Sequence, residues 1–174
     1  MKKYIALLAG ICVLSSCASA PKPEPASAKC PPPVKREAKF IPEQYAPYAG
    51  QGTAKINGRL CVKDTAGKKK CLANQLIVAN PVTDYSTEWF ERHWSKGVFL
   101  EPPLPEARKH TRTVKTDAQG YFSFTDLKPG SYYVGAVVCP PCIKGKQPYK
   151  YQRLGAKVTM KKSVKADLKP LYTP

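Results

Sequence analysis

Short runs of alternating apolar and polar residues, separated by turn residues, characterise the chain from residue 53 onward. In the first run, Ala54 and Ile56 alternate with charged or polar residues, as expected of a strand with one buried face. Turn-forming segments follow at 64–68 and 117–120, and a last strand is expected at 164–168. Regularly spaced turns between short strands predict an all-β fold, a single antiparallel β-sandwich over residues 53–174.

Residues 82–107 interrupt the alternation and predict an insertion that contains a short helix. Ser86 or Thr87 is expected to cap this helix, and Gly97 to lie just past its end. Four ring-bearing side chains at helical spacing form a candidate interaction surface: Trp89, Phe90, His93 and Trp94. The alternative is that these rings close one end of the sandwich.

The segment before the sandwich differs in composition. Eight of the chain's 18 prolines lie between residues 18 and 52. Proline fixes φ and removes a backbone donor, so residues 17–52 are expected to form a disordered tether without helix or central strand. Aromatic residues at 40–48 are expected to pack either on the sandwich or on a partner.

Residues 1–16 have the pattern of a secretory signal peptide, with two lysines before an apolar run of eleven residues. The sequence Leu14-Ser15-Ser16-Cys17 resembles the lipobox of bacterial lipoproteins. This resemblance implies cleavage before Cys17 and attachment of lipid to its sulfur and amino group. The residue that follows is Ala18, which implies anchoring in the outer membrane, with the body in the periplasm or exposed at the cell surface.

A second resemblance rests on residues 116–124 and 127–134. They follow the pattern Thr-Asp-x-x-Gly, an aromatic pair, and then Leu-x-Pro-Gly-x-Tyr-x-Val. This pattern resembles the carboxypeptidase regulatory-like domain and the related transthyretin-like and B-type repeats. The resemblance extends over about residues 53–168 and implies an Ig-like or prealbumin-like sandwich. Such domains are folding appendages or binding modules, so the resemblance leaves the ligand open.

Cysteines outside the signal peptide are expected to form disulfides, because the cell envelope is oxidising. Cys61 and Cys71 lie symmetrically about a predicted hairpin turn, which makes a bridge between them geometrically plausible. Cys139 and Cys142 flank two prolines after a strand, and a structural loop bridge is favoured over redox activity because no helix begins there. Cys30 is left over, and three fates are open to it: pairing with a partner chain, remaining free, or exchange with the Cys139–Cys142 pair.

Metal and catalytic signatures are weak or absent. A zinc site built from Cys139, Cys142, His93 and His110 has suitable ligand types, but only the two cysteines have motif spacing. No serine-hydrolase, zinc-protease or phosphate-binding motif occurs in the sequence. The sequence therefore predicts a non-enzyme without cofactor or metal, and a thiol-redox or metal-handling lipoprotein is the weakest alternative.

The chain is basic, with 29 Lys and Arg against 12 Asp and Glu, a net charge of +17. This charge favours anionic partners, although lysines at turns and edges also prevent strands from pairing between molecules. Nucleic acid is not an expected partner of an exported lipoprotein.

Two functions follow from these features. The first is a structural or adaptor subunit of an envelope assembly such as a secretion apparatus, bound to the membrane by its lipid and to envelope proteins by its body. The second is a module that binds glycan or peptidoglycan. In that function Trp89, Tyr121 or Tyr133 would stack on sugar rings, and lysines would meet acidic groups.

Overall fold

The computed structural model describes residues 32–63, 66–138 and 152–172. Strands make up most of the regular structure in these ranges. They are β1 (Ala54–Arg59), β2 (Cys61–Lys63), β3 (Lys69–Cys71), β4 (Leu76–Pro81), β5 (Arg112–Lys115), β6 (Tyr121–Leu127), β7 (Gly130–Val138), β8 (Gln152–Met160), β9 (Ser163–Ala166) and β10 (Lys169–Tyr172).

The strands form two main sheets and a hairpin. A three-stranded sheet has the order β6-β1-β9, and a five-stranded sheet has the order β10-β8-β7-β4-β5. The pairs are antiparallel except β1 and β9, which run parallel. Strands β2 and β3 form the separate hairpin. The predicted all-β sandwich is thus confirmed, with one parallel pair that the sequence pattern did not indicate.

Alternating burial explains why the two sheets pack face to face. Along β1 every second residue, Ala54, Ile56 and Gly58, is buried, and the residues between them are exposed. Phe122 and Phe124 of β6 alternate in the same way. These side chains share one hydrophobic core with Val134 and Leu154 of the five-stranded sheet. Burial of apolar area at roughly 25 cal/mol per Å² is the main term holding the sheets together.

The insertion contains two short α-helices rather than one, α2 (Asp84–Glu88) and α3 (Pro105–Arg108), and α2 continues directly into a π-helical segment at Trp89–Ser95. Another short helix, α1 (Pro42–Tyr45), lies in the tether. The expected cap at Ser86 or Thr87 is wrong by three or four residues. Thr83 is the N-cap, since its Oγ1 accepts from the Ser86 N–H and the Ser86 Oγ accepts from the Thr83 N–H.

The end of the tether is structured, contrary to the expectation for residues 17–52. Helix α1 and the 3₁₀ turn at Ala46–Tyr48 each place a proline in their first turn, where its missing N–H costs nothing. Tyr45 is buried, stacks on His110 at 4.6 Å between ring centroids, and accepts a hydrogen bond from Thr83. Of the two docking sites expected for residues 40–48, the structure shows the sandwich with its insertion. Residues 17–31 lie outside the described ranges.

Among the described residues, no helix is both long enough and apolar enough to cross a membrane.

Candidate functional site

The predicted aromatic cluster packs on the outer face of the five-stranded sheet. Trp94 is only 4% exposed, and its Nε1 donates to the Leu154 carbonyl oxygen at 2.8 Å. The ring fits because Gly135 and Gly155 lie beneath it. A Cβ atom built on Gly135 would lie 2.6 Å from the indole, closer than packed atoms allow. Trp94 is therefore not available to a partner, which corrects its assignment to an exposed interaction surface.

The other members of the cluster extend the same layer. Phe90 stacks on Tyr133 with ring centroids 4.2 Å apart, and Trp89 lies 4.5 Å from Trp94. Tyr133 is itself buried, so it is not a platform for a sugar ring. The rings thus cover the outer face of a sheet, rather than forming an exposed patch or closing one end of the sandwich.

His93 belongs to this buried layer as well. Burial is the main cause that lowers the pKa of its imidazole to about 4, and the charge of Arg153 acts in the same direction. The Nδ1 atom lies 2.8 Å from the Val98 carbonyl oxygen, as a neutral ring that donates from Nδ1 would. The part of the chain that the structure describes contains no group of three or more His, Cys, Asp or Glu side chains that could hold a metal ion.

The hairpin disulfide is confirmed. Cys61 and Cys71 are direct partners across β2 and β3, and their sulfur atoms are bonded. Cys17, Cys30, Cys139 and Cys142 lie outside the described residues, so the lipid attachment and the second bridge stay predictions.

A groove of about 950 Å³ lies over the outer, solvent-facing side of the three-stranded sheet. Strand register decides which side chains meet there. Tyr121 of β6 lies opposite Arg59 of β1, and Ser123 lies opposite Asn57. The parallel strand β9 places Lys165 beside Asn57 on the other side. These five side chains are exposed on their strands, and we call them the β1 face.

Tyr121 is the aromatic centre of the β1 face. Its side chain is 52% exposed, which is unusual for an aromatic ring in a sandwich of this size. The Arg59 guanidinium lies 4.5 Å from the ring centroid and donates from Nε to the Gln119 carbonyl oxygen at 2.9 Å. Asp117 accepts from the Tyr121 N–H at 2.8 Å and so fixes the start of β6.

Polar and basic groups surround this ring. Ser123 Oγ donates to Asn57 Oδ1 at 2.7 Å, which leaves the Asn57 amide nitrogen as a donor toward solvent. Further basic and acidic side chains line the groove: Lys69, Lys115, Asp117 and Asp167. Four cationic side chains therefore face two carboxylates, and the Asp117 carboxylate already accepts two backbone N–H groups.

Sequence reasoning found Tyr121 as a candidate stacking platform but did not find its neighbours. The polar residues that alternate with the apolar ones in the strand at 54–60 indicated that Asn57 and Arg59 would share one exposed face. What the sequence could not supply was the register that sets β6 and β9 on either side of β1.

No known protein family matches the sequence, and no curated protein matches it. A solved structure from Pseudomonas aeruginosa, described as a putative carbohydrate-binding protein, superimposes with a TM-score of 0.59 at 20% identity. The match covers 74% of this chain and 97% of that one. The fimbrial protein FimP from Actinomyces oris matches at 15% identity and a TM-score of 0.38, over 69% of this chain and 30% of that one. The first similarity shows a shared β-sandwich fold, and the second is too low to carry an argument.

Proposed function

We propose that this chain is a non-catalytic module that binds an anionic glycan on the β1 face. The observation that carries the proposal is the half-exposed Tyr121 ring in the groove over the three-stranded sheet, flanked by amide, hydroxyl and cationic groups. It is the second of the two functions expected from the sequence, located on one surface.

Each group on the β1 face has a role that sugars require. An aromatic ring offers an apolar platform for the C–H face of a pyranose ring while its edge stays in contact with water. Arg59 occupies one side of Tyr121 and orients it. The Asn57 amide and the Ser123 hydroxyl are short, pre-positioned partners for sugar hydroxyl groups, because they are already hydrogen-bonded to each other.

The charge of the groove selects among glycans. Lys69, Lys115 and Lys165 are all exposed in or beside the β1 face. Exposed lysines attract carboxylate or phosphate groups over a distance set by the Debye length, about 8 Å at physiological salt. Binding to a polyuronate is therefore expected to weaken as salt is added, whereas stacking on Tyr121 is much less sensitive to salt. The shared fold with a protein described as a putative carbohydrate-binding protein supports this proposal.

We further propose that the module is held at the outer membrane by lipid on Cys17. Residues 34–48 pack on the body, so the part of the segment 17–52 that separates Cys17 from the body ends before them. The glycan would then be envelope or capsular material close to the membrane.

An adaptor function is the second candidate, and it rests on a different surface. Phe99 and Leu104 of the insertion are exposed apolar side chains, and Val34 lies close by through its bridge to Leu100. A protein partner in an envelope assembly would bind there. Gentle detergent extraction followed by native sizing tests this function. A large species with defined companion proteins supports it, and a monomer contradicts it.

The glycan proposal is tested by affinity electrophoresis of the mature body in alginate, a polyuronate, and in neutral dextran. We expect retardation in alginate only. Tyr121→Ala is expected to weaken it by about tenfold, the equivalent of roughly 1.4 kcal/mol, and Lys165→Gln to weaken it less and reduce its salt dependence. Lys109→Gln, an exposed lysine outside the groove, is the matched control for charge. Equal retardation of Tyr121→Ala and the unmodified protein would contradict the proposal.

A further inference from the structure

A second cavity, of about 370 Å³, lies on the other side of the molecule from the β1 face. It is bounded by the end of the tether, by helices α2 and α3, and by the outer face of β4 and β5. None of its lining residues belongs to the β1 face groove. We call it the Arg36 pocket. Its volume lies within the range of about 300–1,000 Å³ that is usual for small-molecule sites.

Three aromatic side chains form walls of the Arg36 pocket. Tyr45 and Tyr85 are buried, and Trp89 is partly exposed. The tyrosine hydroxyl groups are engaged in the fold, since Tyr45 accepts from Thr83 and Tyr85 accepts from the Leu104 N–H. Because Tyr45 and Tyr85 are only 3% and 4% exposed, they offer a small apolar area to the cavity, and the less buried Trp89 offers the larger area for a flat ligand body.

Two arginines supply charge to the same pocket. Arg36 lies over the Tyr85 ring at 4.6 Å and donates from Nε to the Glu101 carbonyl oxygen at 3.0 Å. Arg108 donates from Nε to the Pro103 carbonyl oxygen at 3.1 Å. Both contacts are to neutral acceptors. No aspartate or glutamate lines the pocket, and the ion pairs found among the described residues are those of Arg92.

The Arg36 guanidinium also carries a donor that the fold leaves unused. Its Nη1 atom is buried, with no hydrogen-bond partner in the described part of the chain. Buried polar groups in native proteins normally have a partner, and hydrogen bonds to charged groups are the stronger class. The guanidinium charge is therefore not compensated inside the fold at this atom, which favours an anion in the pocket that Arg36 lines.

We infer that the Arg36 pocket binds a small organic anion that carries a flat apolar body on a carboxylate or sulfonate group. The rings of Tyr45, Tyr85 and Trp89 hold the body, and Arg36 and Arg108 hold the anionic group. The pocket has the space of about a dozen water molecules at roughly 30 Å³ each, which suits one or two fused rings but not a polysaccharide chain. Neither the fold nor the glycan proposal implies this site.

The test uses 1-anilinonaphthalene-8-sulfonate, whose emission rises on entering an apolar site, and N-phenyl-1-naphthylamine, which has the same rings without the sulfonate. We expect saturable binding of the sulfonate at one site per chain. The deciding quantity is the ratio of the affinities for the charged and the neutral probe. This ratio is expected to fall about tenfold in Arg36→Gln, as for loss of one charge-assisted hydrogen bond, and to stay within about twofold in Arg36→Lys.

Arg59→Gln is the matched control. Arg59 also lies over a tyrosine ring, at 4.5 Å, and also donates from Nε to a backbone carbonyl oxygen, but it belongs to the β1 face. The ratio in Arg59→Gln should equal that of the unmodified protein. A ratio that does not change in Arg36→Gln, a fall as large in Arg59→Gln, or sulfonate binding without saturation would each overturn the inference. Both affinities in the ratio are measured on the same variant. Loosening of the tether by the substitution therefore affects both probes and does not obscure the result.

Discussion

Trp94 decides whether the insertion is a structural layer or an exposed binding element. The structure predicts a structural role, so Trp94→Ala should destabilise the whole sandwich. Substitution of a buried tryptophan by alanine costs about 3–5 kcal/mol, because both the burial of the ring and its packing are lost. The free energy of unfolding of a domain is about 5–15 kcal/mol. The variant should therefore be markedly less stable and, at the low end of that range, up to about half unfolded.

Two further substitutions separate the contributions at this site. Trp94→Phe keeps an aromatic ring over the glycines but removes the Nε1–H that donates to Leu154. The carbonyl left without this partner should cost about 1–3 kcal/mol. Gly135→Ala keeps the tryptophan but places a Cβ 2.6 Å from it, and such overpacking costs about 1–3 kcal/mol.

Urea unfolding followed by far-ultraviolet circular dichroism measures all three variants, with Tyr121→Ala as the control. Because Tyr121 is half exposed and its main side-chain contact is with Arg59, its replacement should lower the free energy of unfolding by only about 1 kcal/mol. The order of stability should be control, then Trp94→Phe or Gly135→Ala, then Trp94→Ala. A loss below about 1 kcal/mol in Trp94→Ala would refute the structural role of Trp94, because removal of a buried, packed indole costs more than this.

Three other predictions follow from the described contacts. Replacing Cys61 and Cys71 together by alanine should lower the free energy of unfolding by about 2.7 kcal/mol relative to the oxidised unmodified protein, the chain-entropy value for a ten-residue separation. Urea unfolding measures the loss, and the reduced unmodified protein should lose a similar amount. Because the pKa of His93 is lowered in the folded state, the unfolded state binds its proton first, and stability should fall as pH decreases from 6.5 to about 4. His93→Gln should flatten this pH dependence in thermal unfolding. An unchanged dependence would contradict a lowered pKa at His93. Glu88 accepts from the Glu37 N–H at 2.8 Å, so Glu88→Ala should speed hydrogen exchange at that amide by about tenfold or more while exchange in β7 stays unchanged.

The strands were predictable because each carries its own signal. Phe122 and Phe124 alternate with polar residues between two turns, and β6 spans that run. Cys61 and Cys71 flank a turn at equal distances, and they pair across it. These features depend on local periodicity and turn chemistry. Strand β10 was missed because Pro170 reads as an interruption, whereas an edge strand tolerates proline.

The insertion and the tether were harder to predict because their order comes from contacts distant in sequence. Glu88 of α2 accepts two N–H groups of the tether, at Glu37 and Ala38, and Gln44 exchanges hydrogen bonds with Asp84. Proline content correctly indicated that residues 32–48 would contain no central strand, but the expectation of no helix was wrong, since α1 lies at Pro42–Tyr45. It could not indicate that partners forty to fifty residues away would hold the segment in place.

The position of the proposed glycan site follows from which sheet face is already covered. A sandwich has two outer faces, and the insertion covers part of one, with Trp94 over Gly135 and Phe90 over Tyr133. No helical segment in the described ranges lies across the β1 face. The exposed Tyr121 ring therefore belongs to a surface whose composition is set by the register of three strands. On this surface Arg59 already stacks on Tyr121, and Ser123 is already hydrogen-bonded to Asn57. Groups held in place beforehand lose little entropy on binding, which is the physical reason to look for the ligand there first.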